Sequence, residues 1–454
     1  MATSASSARE HGVSILGHDH RSILTDLITD HKARLCIIGQ GYVGLPLAIE
    51  FAGAGLQVVG LDIDAARVET LNSGKSTTPD VSDEDLGRLT RSGMYKASTD
   101  HSCIGASDVL MICVPTPLRK SKDPDISYVL ETTERVVENL RPGQLIILES
   151  TTYPGTTEEL LLPLFEAAGY TVGTDVFLAF SPERIDPGNK RFTVKEIPKV
   201  TGGVTPHCTG LAALLYRQIV SEVFEVSSPK VAELAKLYEN VFRSVNIALA
   251  NEFSLMCRTL GVNSREVINA AATKPFGFMP FYPGPGIGGH CIPIDPAYLV
   301  WKMKFSNYQA RFIPLAEEIN QSMPYHVIDL VIEALNKRKR CLNGARILAL
   351  GVAYKKGVGD TRESPAIQIV GELLTRGALV SYADPHVPEI QVNDMKLTSA
   401  EVDRASLEQA DCVLILTDHT EFDYHAVLKS ARLIVDTRGA TWGMPVEASK
   451  LVNL

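Results

Sequence analysis

From Arg34 the chain reads RLCIIGQGYVGLPLAIEFAGAGLQVVGLDID. A β-branched apolar run, a glycine turn, a segment of helical length and a second apolar run (QVVGLD) follow one another, which is the order of a βαβ unit. Further apolar runs at Val109–Val114, Leu145–Leu148 and Val176–Ala179 are separated by stretches of helical length. That alternation predicts a parallel sheet with helices on both faces. Between 229 and 260 the texture changes to a long mixed segment, opened by Ser228 and Pro229 as N-cap and first-turn proline and stopped by Gly261. One helix of about 30 residues, roughly 45 Å long, is expected there. It is apolar over much of its circumference, so it is expected to be buried between domains or subunits. The α/β texture returns in ARILALGVAY (345–354), GALVSYADP (377–385), DCVLILTDH (411–419) and RLIVDTRG (432–439), which predicts a second, smaller parallel sheet.

The expected organisation is an N-terminal extension over 1–33, a first sheet domain over 34–225, a helical middle over 226–325 that carries a glycine-rich loop, and a second sheet domain over 326–454. The extension holds acids and no apolar core, unlike a secretory signal. Its role is open between an oligomer contact and an unordered lead. His18 and His20 within it are read as solvated rather than as metal ligands.

At 454 residues, 45% apolar and 21% charged, the chain is long and apolar enough for several packed cores. A formal charge of −9 argues against a nucleic-acid binder, but not against small phosphorylated ligands, which backbone amides can hold. Eight cysteines without a CxxC pair suit a reducing cytoplasm, and no apolar run is long enough to span a membrane.

Gly39-Gln40-Gly41-Tyr42-Val43-Gly44 is a G-x-G-x-x-G turn between a strand and a helix, and Asp62 ends the next strand. In a dinucleotide site Gly39 makes the turn, Gly41 lets the backbone approach the pyrophosphate, and Gly44 packs helix on strand. Tyr42 and Val43 share that turn. Asp62 is placed for the adenosine ribose and would repel a 2′-phosphate, so NAD is expected rather than NADP. Arg67 could lie over the adenine or attract a phosphate. Thr116 with Pro117, and Ser150 with Thr151, follow later strands where hydroxyls suit a ribose or an amide; capping the next helix is the alternative. The fold class expected is therefore α/β: two Rossmann-like parallel-sheet domains joined by a long central helix and a helical middle domain.

The densest chemistry lies in FYPGPGIGGHCIPIDPAYL, 281–299. Gly284, Gly286, Gly288 and Gly289 would let the backbone come close to a ligand. Cys291 follows at once. If it opens a helix, the helix N-terminus favours its thiolate, and Asp295 lies one turn on. Either a nucleophile or a packed thiol fits this segment alone. His290 beside it is at most a positioning group, and the pair lacks metal-ligand spacing, so no metal is expected. Glu183, in Ser181-Pro182-Glu183-Arg184, follows an apolar run. Lys236 and Asn240 form an i,i+4 pair on the long helix, where a lysine either snorkels to water or serves a buried site.

With these motifs in this order, the chain from about residue 34 resembles the nucleotide-sugar (UDP-sugar) 6-dehydrogenases of the UDP-glucose/GDP-mannose dehydrogenase family. The resemblance implies an NAD-binding lobe and a UDP-binding lobe flanking a long helix, with the helical middle as the contact of a homodimer. It also implies oxidation of a sugar C6 alcohol to a carboxylate with two NAD. Carried over, Cys291 is the nucleophile that captures the aldehyde and Lys236 stabilises charge on the C6 oxygen. Glu183 is the base of thioester hydrolysis, Asp295 and Thr151 hold the water, and Asn240 positions substrate. Tyr354 and Lys355, in AYKKGVGDTRESPA, correspond to sugar-nucleotide contacts, as do Arg184, Tyr282 and the loop glycines 284, 286 and 288. Arg362 corresponds to a residue reaching the NAD site, and Arg438 to an arginine near the substrate.

One departure narrows the substrate. UDP-glucose dehydrogenases carry lysine before the aspartate of this loop, and here Ile294 precedes Asp295. The version HCIPIDP after YPGPG resembles the branch acting on 2-acetamido sugars, with UDP-N-acetylglucosamine favoured. UDP-N-acetylmannosamine and UDP-glucose are the alternatives. The acidic product would feed a cell-surface polysaccharide, as the resemblance implies.

Overall fold

Short apolar runs form strands wherever both faces can be buried. Arg34–Ile38 (β1), Gln57–Leu61 (β2), Tyr95–Ser98 (β3), Val109–Ile112 (β4), Leu145–Leu148 (β5), Phe177–Phe180 (β6), Lys199–Gly203 (β7) and Val223–Glu225 (β8) make one sheet in the order β3-β2-β1-β4-β5-β6-β7-β8. The computed structural model describes residues 19–78, 80–119, 123–184, 193–289 and 292–454. The chain divides into two compact units: 1–115, 127–150 and 155–233 form the first, and 116–126, 151–154 and 234–454 the second.

In the first unit, successive residues of each strand supply opposite faces, as a two-residue repeat requires. Leu35 and Ile37 of β1, with Val109 and Met111 of β4, join the core around Phe51. Cys36, Ile38, Leu110 and Ile112 join the core around Phe165 on the other face. The expected run at 109–114 ends as a strand at Ile112, and the run at 176–179 begins one residue later. One feature departs from a wholly parallel sheet: β7 runs antiparallel to β6, while β8 is parallel to β7. Residues His20–Thr29, for which the sequence left two roles open, form a helix that buries Leu24 and Ile28 in the same core as Leu211 and Leu215. His20 is therefore half-buried at a helix start; His18 lies outside the described residues.

The helix Pro229–Leu260 runs 32 residues, about 48 Å, and passes into the second unit after Glu233. There the helices Ser264–Ala271, Asp295–Phe305 and Phe312–Lys337 follow. The second sheet comprises Arg346–Leu350 (β9), Leu379–Ala383 (β10), Cys412–Ile415 (β13), Ile434–Asp436 (β14) and Leu451–Asn453 (β15), all parallel in the order β10-β9-β13-β14-β15. A hairpin, Glu389–Val392 (β11) with Met395–Thr398 (β12), lies outside it. No helix among the described residues is long and apolar enough to cross a membrane.

The glycine turn after β1 is set by contact. Gly39 has φ +93°, and a Cβ there would stand 2.6 Å from the Cys113 carbonyl oxygen. A Cβ on Gly44 would stand 1.8 Å from the Gly39 oxygen, whereas one on Gly41 would meet nothing within 4 Å. Gly44→Ala is thus expected to lose at least the 1–3 kcal/mol or so typical of overpacking, with Gly41→Ala much nearer the parent. Equal urea midpoints for the two variants would refute this packing account.

Candidate active site

The strand order of the first unit reverses direction between β1 and β4, and open α/β sheets bind ligands at such a point, beyond the strand C-termini. The Gly39–Gly44 turn stands there, followed by the helix Gly44–Gly53, whose N-cap position, Val43, offers no side-chain cap. Its first N–H groups are left for an anion, and Gly41 leaves the approach open. The residues present therefore fit the pyrophosphate of a dinucleotide. Asp62 is buried, and its Oδ2 accepts from the Gln40 N–H at 2.8 Å and from Arg67 Nη1 at 3.0 Å. Arg67 is thus paired with the acid expected at the ribose. Tyr42 is exposed beside this turn. The Ser150 hydroxyl donates to the Val114 carbonyl at 2.7 Å, tying two strand ends together rather than capping a helix.

Glu183 follows β6. Its Oε1 accepts the Arg184 N–H at 2.6 Å, while the Arg184 guanidinium donates to the Pro198 carbonyl at 2.8 Å. Lys199 Nζ stands 3.3 Å from Glu183 Oε2 and 3.0 Å from Glu149 Oε2.

In the second unit, Lys236 and Asn240 are half-buried on the long helix. Asn240 Nδ2 donates to Asp295 Oδ2 at 2.5 Å. Burial pushes the Asp295 carboxyl up to about 6, against the pull of Lys236 and the Asn240 hydrogen bond. Cys291 and His290 lie outside the described residues. The helix expected from Cys291 begins at Asp295, because 292–294 form a turn and Pro296 suits the first helical turn. One turn on, the Tyr298 hydroxyl donates to the Thr116 carbonyl at 2.9 Å; Thr116, Pro117 and Thr151 all fall in this second unit. A cavity of about 540 Å³ is lined by Ile292, Pro293 and Pro296, and by Asn320, Thr361 and Glu363.

The loop glycines admit this chain's own side chains. A Cβ on Gly284 would lie 2.8 Å from the Arg438 guanidinium, on Gly288 2.7 Å from the Tyr354 Cβ, and on Gly289 2.8 Å from the Tyr354 ring. A Cβ on Gly286 would press on Pro365 at 3.1 Å. Gly284, Gly288, Tyr354 and Arg438 are thereby brought together, with the Arg438 Nε donating to the Leu416 carbonyl at 2.9 Å. Tyr282 stands nearby in sequence, its ring under the Arg265 guanidinium and its hydroxyl donating to Asn269 Oδ1 at 2.7 Å. Lys355 is half-buried beside Tyr354. Arg362 is exposed and forks onto the Asp360 carboxylate, with Nη2 at 2.6 Å.

Sequence reasoning missed the groups that hold the Tyr354 loop. Asp384, after β10, accepts from the N–H groups of Val352 and Ala353 at 2.7 and 3.1 Å. His419, after β13, takes the Gly357 N–H on Nδ1 at 3.1 Å, which leaves its proton on Nε2, facing Asp384 at 3.1 Å. His386, His419 and Glu421 bring possible ligand atoms within 4.8 Å of one another. Both His419 nitrogens are already engaged, however, so the group acts as a clamp. Gly284 N–H is likewise held by Asn251 Oδ1 at 2.9 Å. A histidine after a buried apolar run is the only local signal that could have pointed to this clamp.

Because the folded-state value of Asp295 lies above the ordinary one of 3.8, native protein binds its proton more tightly than the unfolded chain between about pH 4 and 6. Relative to Asp295→Asn, native stability should therefore fall as pH rises through that window and then level off. A urea-midpoint difference between the two proteins that is constant from pH 4 to 7 would contradict the shift.

The same chain matches three models of the UDP-glucose/GDP-mannose dehydrogenase family: the NAD binding domain over 33–220, the central domain over 230–322 and the UDP binding domain over 348–442. It is 36% identical over 392 residues to a UDP-N-acetyl-D-glucosamine 6-dehydrogenase of Pseudomonas aeruginosa, covering 86% of this chain and 91% of that one. It is 37% identical over 422 residues to a UDP-N-acetyl-D-mannosamine dehydrogenase of Pyrococcus horikoshii, covering 91% and 97%. The solved structure of a UDP-D-ManNAc dehydrogenase from Pyrococcus horikoshii superposes with a TM-score of 0.83 at 35% identity, covering 92% and 98%. The chain therefore belongs to the UDP-glucose/GDP-mannose dehydrogenase family: it is an NAD-dependent oxidoreductase with an NAD-binding domain, a central domain and a UDP-binding domain in that order.

Proposed function

We propose that the protein oxidises the C6 alcohol of UDP-N-acetylglucosamine to the carboxylate, giving UDP-N-acetylglucosaminuronate, with covalent capture on Cys291 between two hydride transfers. The observation that carries this reading is the Lys236–Asn240–Asp295 group, a buried acid between an ammonium and an amide, with the cysteine four residues ahead of it in the loop. NAD bound at the glycine turn supplies the acceptor for a hydride in each oxidation.

The remaining steps are work for this chain's side chains. The alcohol gives up a hydride and its hydroxyl proton to become an aldehyde, and Lys236 offsets the negative charge that develops on the C6 oxygen. The Cys291 sulfur adds to that carbon as the C=O π bond opens and the thiol proton passes to its oxygen, so the thiohemiacetal carries a second hydride to lose and the aldehyde cannot escape. Loss of that hydride and of the hydroxyl proton leaves a thioester. Asp295 and Thr151 hold a water, and Glu183 takes its proton as the oxygen adds. The C–S bond then breaks and the sulfur regains a proton. Asn240 orients both Asp295 and the sugar. One water is consumed and two NADH form per acid.

Ile294 before Asp295 supports a 2-acetamido sugar, and the gluco epimer is the reading adopted. The mannosamine relative of comparable identity makes UDP-N-acetylmannosamine the second reading. Because Cys291 must act as a free thiol, a reducing cytoplasm suits the reaction.

Assayed with UDP-glucose, UDP-N-acetylglucosamine and UDP-N-acetylmannosamine, the protein should show its highest kcat/KM on the second, with two NADH per uronate. One NADH with aldehyde released would overturn the covalent scheme, and preference for the third sugar would overturn the epimer. Cys291→Ser should lower turnover by more than about 10³-fold with NAD affinity unchanged.

We also propose a homodimer through the middle region. A groove of about 640 Å³ is lined by Phe242, Leu249, Phe253, Val267, Phe278 and Met279. Leu249 and Met279 are 60% and 63% exposed, an apolar patch that a lone chain would leave wet. Light scattering should report a dimer, converted towards monomer by Leu249→Asp; a monomeric parent refutes the proposal.

A further inference from the structure

In the first unit, Glu183 stands in a cluster with two buried charged residues to which the reaction above gives no role. Glu149 follows β5, Glu183 follows β6, and Lys199 opens β7. Because β5 and β6 are parallel, both glutamates emerge at one edge. β7 runs the other way, with Ala179 opposite Gly203 and Phe180 opposite Gly202; continued by three residues, that register sets Glu183 opposite Lys199. Only an antiparallel β7 brings its first residue to this edge.

The contacts are close and dry. Lys199 Nζ lies 3.0 Å from Glu149 Oε2 and 3.3 Å from Glu183 Oε2, and the Tyr216 hydroxyl donates to the other oxygen of Glu149. The Lys199, Glu149 and Glu183 side chains are 7%, 0% and 14% exposed. One ammonium thus serves two carboxylates where water cannot screen them, and removing that ammonium leaves both without a cation. Burial pushes Glu149 up to about 7, opposed by Lys199 and reinforced by Glu183. Burial alone would lower Lys199, but the two carboxylates outweigh it and hold the ammonium above its usual range. Among the described residues, the set is also faced by Tyr216 and Cys113, both pushed well up by burial and therefore neutral, and by Arg184, whose backbone N–H donates to Glu183 Oε1.

We propose that Lys199, itself held by Glu149, is a positioning residue for Glu183: its ammonium fixes that carboxylate where it accepts the proton of the hydrolytic water, while the Tyr216 hydroxyl holds Glu149 in turn. The proposal rests on the reading of Glu183 as the base of thioester hydrolysis. Lys199 and Glu149 touch neither substrate nor cofactor in it; they act through Glu183. The signature of Lys199 is consequently a displaced pH profile rather than a lost binding site.

The test uses the full chain with NAD and UDP-N-acetylglucosamine, following breakdown of the acyl-Cys291 thioester by quenched-flow mass spectrometry as a function of pH. Lys199→Met removes the cation beside Glu183, and the acid limb of hydrolysis should move to higher pH by about one unit or more. Lys199→Arg should restore a profile near the parent's. Glu149→Gln keeps an acceptor for Lys199 and, because burial already pushes Glu149 up to about 7, removes no charge on the acid side, so its limb should stay near the parent's. If Lys199→Met fails to fold, Lys199→Gln is measured in its place. A limb that stays in place without the lysine, with only the rate lowered, overturns the proposal, because a merely structural salt bridge would behave that way. Glu183→Gln separates the two claims. If the acid limb persists there, the base reading itself fails; if it vanishes there yet does not move in the lysine variants, only the role of Lys199 fails.

Discussion

Strands β1, β4, β5 and β6 run parallel and are buried on both faces, so the segments leaving their C-terminal ends all emerge at one edge. Along these four strands the buried side chains are apolar, and their polar groups begin where the strands stop. Gly39, Cys113, Ser150 and Ser181 each come within two residues of a strand end for that reason. The second sheet obeys the same constraint, with the Tyr354 loop after β9, Asp384 after β10, His419 after β13 and Arg438 after β14. In each unit the strand order changes direction next to the first strand, which is where such folds open a crevice.

Burial at those edges then decides what each acid does. Asp384 and Asp436 are covered, yet each accepts several backbone N–H groups, so they behave as fixed acceptors that shape loops. Burial raises Asp384, but His419 and the backbone donors outweigh it and leave it below the ordinary carboxyl value. Asp295 has one amide donor and a neighbouring ammonium, too little to offset its burial, and stays raised. Glu149, with a lysine it must share, is raised as well. The same residue type thus serves as scaffold or as titrating group according to how many donors the fold brings to it.

The glycines follow a similar logic of space. Gly39 and Gly44 are required because the β1 turn passes against Cys113 and against itself. Gly284, Gly288 and Gly289 were expected to clear a path for a ligand, and in the fold they clear one for Arg438 and Tyr354. The loop thereby lets Tyr354 and Arg438 pack on its backbone.

What the sequence determined by itself was local. A short continuous apolar run marks a strand buried on both faces, proline and glycine bracket the helix Pro229–Leu260, and the spacing of Gly39, Gly41, Gly44 and Asp62 follows from the turn that a strand–helix junction needs. The cysteine loop and the Lys236–Asn240 spacing were legible for the same reason, since each lies within one turn or one short motif. The packed helix His20–Thr29, the hairpin of β11 and β12, and the start of a helix at Asp295 rather than Cys291 were not, because their stability comes from partners distant in sequence. Above all, the direction of β7 was decided only by tertiary structure. Nothing in PKVTGG says which way it runs, and reversing it would carry Lys199 to the far edge, away from both glutamates. A charge can be buried only beside its counter-charges, and chain fragments fifty residues apart meet only when the sheet is assembled.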